Sequence, residues 1–374
     1  MKKKLILILI ILFCLTGCWS YVGLDEITIV MGVAIDKDKD DNYLLSFEII
    51  DLASSNKDEG IKTEIVMVKG LTIAEAVKNA KIIVANELCF CNSQIIIISN
   101  EIATKDGVDS IVDYFIRNIK VRENSEIIIS KEKTARELFK GQGLTNDIIS
   151  LEMIDIIKKS EEVTLYAYDI QLYSIYNILK GEGKELVLPI FKNIKINDVK
   201  TIQLDGMATF KKGKLNRYLS PEETKDFLFI INKAKGGILS LSSKGNNNYD
   251  IGIEVQTSTT KVRYSYLNNK LKIFIDIDLK GTVGEIEGKH FLIDVKDIAE
   301  LEKLTNKSLK QRIIKSIKKV QESEDGDIFG IGEKIYQQEP KLWKKLKKDW
   351  DKTFSTLDFE VNCKVNIKNS TFTR

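Results

Sequence analysis

Near the C-terminus, Leu357, Phe359, Val361, Cys363, Val365 and Ile367 alternate with Asp358, Glu360, Asn362, Lys364 and Asn366. A period of two predicts a half-buried strand with Cys363 on its core face. Strand patterns also cover Ile27–Asp36 and Tyr43–Ile50, joined by the charged turn Lys37–Asn42, and then Lys62–Val68. Gln94–Ser99 encloses the unbroken apolar run Ile95–Ile98 and predicts a buried strand, and Glu126–Ser130 predicts another. Glu185–Phe191 contains Pro189, which cannot donate to a ladder, so an edge strand is expected there.

Helical periodicity fills the gaps. Thr72-Ile73-Ala74-Glu75 has the spacing of a capping box, and the helix it opens carries Ile73, Ala76, Val77, Ala80, Ile83 and Val84 on one face. Further helical stretches cover Val108–Asn118, Thr134–Lys140, Asp147–Lys159 and Asp169–Lys180, the last stopped by Gly181-Glu182-Gly183-Lys184. A hairpin follows over Asp205–Phe210, turning at Lys211–Lys214 into Leu215. Ser220-Pro221-Glu222-Glu223 is a stronger helix start, with serine at the N-cap, proline at N1 and glutamate at N3. That helix should run to about Ala234, before Gly236-Gly237. Three or more strands are expected between Ile251 and Ile286, with Asn268-Asn269 as a hairpin turn. A long amphipathic helix over Ile298–Gln321 turns Leu301, Leu309, Ile313, Ile317 and Val320 inward, and a helix over Lys341–Phe354 precedes the last strand.

The pattern predicts an α+β protein with mixed and antiparallel sheets, flanking helices and two to three subdomains. The expected divisions are residues 1–17, 18–195 and 196–374, with a boundary near Lys195 where a second α+β pattern begins.

The N-terminus changes the picture. Lys2-Lys3-Lys4 precede the mostly aliphatic run Leu5–Leu15, then Leu15-Thr16-Gly17-Cys18. A charged segment, a short apolar segment and small residues make a secretory signal, too short for the roughly 20 apolar residues of a bilayer span. Leu-Thr-Gly-Cys is the lipobox of bacterial lipoproteins, so Cys18 is the expected first mature residue, carrying a thioether-linked diacylglycerol. Two acyl chains anchor stably where one holds only marginally. Removing Lys2, Lys3 and Lys4 with the signal leaves 54 basic residues against 54 acidic ones. A neutral body has no long-range field for polyanions, which disfavours nucleic acid as a partner.

Candidate chemistry is sparse. Cys89, Cys91 and Cys363 remain after the lipidated position, and three thiols are no disulfide framework. Cys89 and Cys91 would point the same way on a strand. The single histidine, His290, has no clustered ligands or nucleophile around it, so no metal, cofactor or catalytic residue is expected. Asp325-Gly326-Asp327 lacks the alternating oxygen ligands of a calcium loop and reads as a turn capping the next segment. Gly330-Ile331-Gly332 has no preceding strand and is no phosphate loop. Trp343, Leu346 and Trp350 share one helix face, with Lys344, Lys345, Lys347 and Lys348 on the others. Such a helix packs through its tryptophans and solvates its basic side, or lays those lysines on anionic headgroups.

Several segments together resemble the spore germination protein family GerC, the lipoprotein subunit of nutrient germinant receptors. They are Gly17-Cys18-Trp19 with Leu24–Ile27 and Met31–Asp36, then Asp113–Asn118, Asp205–Lys211 with Leu215, Asp327–Gly332, Pro340–Trp343 and Trp350. The chain departs from that family at Ser20-Tyr21 and at its terminal Thr373-Arg374. The resemblance implies a non-enzymatic subunit on the outer face of the spore inner membrane, working with A and B type membrane subunits and held by lipid through Cys18. It also implies a structural or assembly motif at Asp327, Phe329, Gly330, Gly332, Trp343 and Trp350. The alternative is a lipid-anchored solute-binding protein of a transporter.

Overall fold

The computed structural model describes residues 23, 26–56, 60–118, 121–243, 249–288 and 295–368; Cys18 and His290 lie outside the described residues. The chain begins with a meander, β1 (Ile27–Lys37), β2 (Tyr43–Asn56) and β3 (Gly60–Gly70), followed by helix α1 (Ile73–Asn79). Next come β4 (Glu87–Cys89), β5 (Ile95–Ser99), α2 (Asn100–Lys105), α3 (Asp109–Arg117) and β6 (Glu126–Ser130). Helices α4 (Ile149–Val163) and α5 (Leu172–Lys180) lead into β7 (Val187–Ile196), β8 (Val199–Lys211) and β9 (Lys214–Tyr218).

These strands make one nine-stranded sheet in the order β3-β2-β1-β5-β6-β7-β8-β9, with β4 beside the start of β1. Strands β1, β5, β6 and β7 are parallel, and antiparallel hairpins flank them on both sides. Ile95–Ile98 and Ile127–Ile129 are fully buried because helices cover both faces of the parallel centre. Register fixes one end of this sheet. Gly32 pairs with Ile95, Ile95 with Glu126, and Ile129 with Ile190. Counted back along the strands, Ile27 is level with the Gly181–Glu185 loop that feeds β7. The chain therefore enters at the end where the parallel strands start.

The second layer begins with α6 (Pro221–Ile230), whose Ser220–Glu223 capping box is complete. Strands β10 (Ile238–Ser243), β11 (Tyr249–Leu267) and β12 (Lys270–Gly288) run antiparallel, and β13 (Asp358–Lys368) adds in parallel to β12. Between them lie α7 (Val295–Glu322), α8 (Ile331–Gln338), α9 (Pro340–Leu346) and α10 (Trp350–Ser355). Leu301, Leu309, Ile313, Ile317 and Val320 of α7 are all buried, as their spacing predicts.

The boundary expected near Lys195 falls at the tip of the β7–β8 hairpin, and the change of sheet comes between Tyr218 and Ile238. Four expectations are corrected. Strand β7 lies inside the sheet rather than at its edge. Pro189 is tolerated there because it sits at a bulge in the β7–β8 ladder, and β6 meets β7 only from Ile190 onward. The region Ile251–Ile286 holds two 19-residue strands, turned by Asn268 and Asn269, both at positive φ, rather than three or more. At α1, Thr72 caps Glu75, but the Glu75 carboxylate takes the N–H of Leu71, one residue beyond the box; the helix tightens at Ala80 and leaves Ile83 exposed. Cys89 and Cys91 form a disulfide, because a 3₁₀ turn at Phe90–Asn92 ends the strand and brings their Cα atoms to 5.3 Å. Cys363 is the free thiol among the described residues, and burial pushes its pKa up to about 12.

Candidate functional site

The motif at Asp327–Trp350 folds into a clamp between the two sheets. Asp327 is fully enclosed and accepts the backbone N–H groups of Gly330 (2.9 Å) and Gly332 (2.6 Å), satisfying donors at the start of α8. Gly330, the N-cap, stands at φ 76°, where a side chain would be strained. Burial outweighs these hydrogen bonds and lifts the Asp327 carboxyl to about 6.

Gly332 is where the tryptophans land. A Cβ there would lie 2.8 Å from the Trp343 ring and 2.8 Å from the Trp350 indole, so glycine is needed for close approach. The two rings meet edge-to-face with centroids 5.2 Å apart. The single helix expected over Lys341–Phe354 is broken by a 3₁₀ turn at Lys347–Asp349 into α9 and α10, and the rings meet across that break. Phe329 continues the aromatic contacts, 6.3 Å from Phe227 on α6 and 6.1 Å from Phe354 on α10. Phe354 in turn reaches Phe359 of β13 at 6.2 Å.

The other jaw is the Gly181–Glu185 loop at the sheet's entry end. The Trp343 indole N–H donates to Glu182, which also takes Lys347 at 3.1 Å. These two donors hold the Glu182 carboxyl below its ordinary range. Gly183, at φ 79°, lets its backbone press on Gly332 and accept the Glu333 N–H at 2.9 Å. The Glu185 N–H donates to the Asp327 carbonyl at 2.9 Å.

Beside Asp327, Asp325 is also fully buried but is met by charge. It takes Thr209 (2.6 Å), Asn216 (2.8 Å) and the Arg217 guanidinium (2.6 Å). Arg217 bridges on to Glu223 at 2.8 Å, and Lys319 reaches Glu223 at 2.9 Å. Glu223 is pushed up by burial, but the Ser220 N–H, Lys319 and Arg217 outweigh this and bring it to about 2. Asp325-Gly326-Asp327 is thus a tied turn, as its spacing predicts, while the partners of Asp325 were invisible: Arg217 is 108 residues away. Glu182 and Gly183, legible only as turn residues, are the other half of the clamp.

Between the jaws lies a groove of about 920 Å³, lined by Glu182–Leu186, Lys212, Trp343, Lys344, Lys347 and Lys348. Lys344, Lys345 and Lys348 are exposed without an ion partner among the described residues, whereas Lys347 is paired. Among the described residues no three His, Cys, Asp or Glu side chains gather as a metal site, and no helix is long and apolar enough to cross a membrane.

The other family-like segments are also joints. Asp36 accepts the N–H groups of Ala135 (2.6 Å) and Arg136 (3.1 Å). Gly32 leaves room for Ser150 at the start of α4. Asp205 holds Lys131 (2.6 Å) and Lys192 (2.7 Å).

A family model for the spore germination protein N-terminal domain matches residues 20–193, and one described as spore germination B3/GerAC like, C-terminal, matches residues 205–371. Spore germination protein KC of Bacillus subtilis (strain 168) is 24% identical, over 98% of this chain and 95% of that one. Spore germination protein B3 of the same organism is 25% identical, over 98% and 97%. The crystal structure of the GerBC protein superposes with a TM-score of 0.60 at 21% identity, covering 90% of this chain and 97% of that one, which shows a shared fold. With two consecutive models spanning nearly its whole length, the chain belongs to the GerAC-like spore germination protein family.

Proposed function

We propose that this chain is the lipid-anchored C subunit of a spore nutrient germinant receptor, needed for receptor assembly and germinant response, with no catalytic step of its own. The observation that carries this reading is the ordered match of both family models across residues 20–371. The anchor is the acylated Cys18, on the outer face of the spore inner membrane beside A and B type subunits. The fold is compatible with that attachment: Ile27 enters at the end of the sheet where the clamp displays Lys344 and Lys348. Lysines close to an anionic surface contribute about 1 kcal/mol each, so tether and basic turn act on one face.

Deleting the gene should abolish the nutrient response of spores while dodecylamine-triggered germination persists. A normal nutrient response in spores lacking this gene and its paralogues would overturn the proposal. Cys18→Ala should shift the protein out of the membrane fraction; unchanged retention would remove the anchor from the reading.

A further inference from the structure

Cys89 and Cys91 sit near the entry end of the large sheet, where Cys89 pairs with Ile29 and the 3₁₀ turn Phe90–Asn92 follows. Their disulfide closes a ring of only three residues. A disulfide stabilises mainly by restricting the unfolded chain, and the gain grows with the loop it closes, so a ring this short gains least. The turn is held by other contacts. Phe90 is 3% exposed and meets Phe47 edge-to-face, with ring centroids 5.7 Å apart. The Ser93 N–H donates to the Phe90 carbonyl and the Gln94 N–H to the Met31 carbonyl, each at 3.0 Å. The Ser125 hydroxyl donates to the Ser93 carbonyl at 2.7 Å. None of these contacts involves sulfur, so the core grips the residue between the cysteines whether or not they are joined.

The two sulfurs differ in access: Cys91 is exposed and Cys89 half-buried. Exchange starts when a thiolate reaches one sulfur of a disulfide, so access selects Cys91. From the short ring, the independently held turn and the one-sided access, we infer that Cys89–Cys91 is a thiol-exchange site, opened and reclosed by a low-molecular-weight thiol. The site stands whether or not the receptor reading does.

The chemistry balances in two steps. A thiolate RS⁻ bonds to the Cys91 Sγ as the Cys89–Cys91 bond breaks, and the electron pair leaves on the Cys89 Sγ, which takes a proton from water. Cys89 can then attack Cys91 again and expel RS⁻, restoring the ring. Alternatively a second RS⁻ attacks the sulfur of the bound thiol, giving RSSR and leaving both cysteines reduced, so two thiols are oxidised as one disulfide is reduced. Reclosure is favoured because the gripped turn keeps the two Cα atoms 5.3 Å apart. Cys363 stays out of the exchange, since burial keeps its thiol protonated and the thiolate is the nucleophile.

The test equilibrates the purified full chain with reduced and oxidised glutathione, quenches with acid, alkylates, and reads the peptide carrying Cys89 and Cys91 by mass spectrometry. Millimolar reduced glutathione should open the pair and oxidised glutathione should reclose it, with the circular dichroism spectrum unchanged in both states. Cys89→Ser and Cys91→Ser then present each sulfur alone. Against oxidised glutathione, the Cys91 thiol should form its mixed disulfide faster than the Cys89 thiol by about tenfold or more. A pair that stays closed in millimolar reduced glutathione, or that never closes in oxidised glutathione, overturns the inference. So does a loss of folded signal on reduction, which would make the link structural, or equal rates for the two single thiols.

Discussion

The two sheets solve burial differently. In the nine-stranded sheet the parallel centre is covered on both faces, so consecutive residues such as Ile97 and Ile98 are equally enclosed. In the four-stranded sheet, Ile273, Ile275, Ile277 and Leu279 of β12 point to the core, while Phe274, Asp276 and Asp278 between them meet solvent in part or fully. A strand buried on both faces spends every position on packing, whereas a one-sided sheet keeps half its residues available for surface chemistry. The clamp at Asp327–Trp350 joins these two kinds of sheet, and its exposed lysines belong to the joint rather than to either sheet.

Truncation should expose that contrast most strongly. Ile97→Ala and Ile98→Ala should each cost about 3–4 kcal/mol in chemical denaturation. If one of the pair were nearly neutral, the double-sided burial would be wrong. Next in size is the response to acid at the joint. Asp327 has a folded pKa of about 6 against an ordinary 3.8, so its share of stability is fully present below pH 3.8 and lost as pH rises through 6. That share is on the order of 3 kcal/mol. Subtracting the pH profile of Asp327→Asn from that of the wild type should isolate it, and parallel profiles would refute it. Glu223 runs the opposite way: its contribution is present above its ordinary 4.5 and lost as pH falls toward 2.

Gly332→Ala should follow, forcing the Trp343 and Trp350 rings apart at a cost of about 2 kcal/mol. Because this loosens the joint between the two sheets, the melt should separate into two transitions. A single cooperative transition of unchanged midpoint would show that the sheets do not depend on the clamp. The smallest effect belongs to the open sheet: Asp276→Ala removes an exposed ion pair with Arg263 at 2.6 Å and should change stability by under about 1 kcal/mol.

Much of this architecture was legible in the chain because period and local chemistry dictate it. The alternation of β13, the buried face of α7, the Ser220 capping box and the Asn268-Asn269 turn each depend on residues within a few positions of one another. What was hidden depends on distant partners. Pro189 suggests an edge until the β8 bulge accommodates it. The change of sheet between Tyr218 and Ile238 gave no signal, because hydrogen bonding across the β7–β8 hairpin leaves no compositional mark. At the site, the grouping of Asp327, Phe329, Gly330, Gly332, Trp343 and Trp350 came from resemblance, and their contacts explain why those residue types stand there. Glu182, Gly183 and Arg217 gave no such signal, because an ion pair or a glycine contact across more than a hundred residues has no period.

The opposite end of the large sheet carries a consequence of its own. Lys37 closes β1 there, and the exposed Asn197-Asp198 turn joins β7 to β8 at the same end, both residues at positive φ. A chain held through the residues before Ile27 turns this end away from its attachment. An epitope or protease site grafted at Asn197-Asp198 would then report, on intact particles, which way the molecule stands.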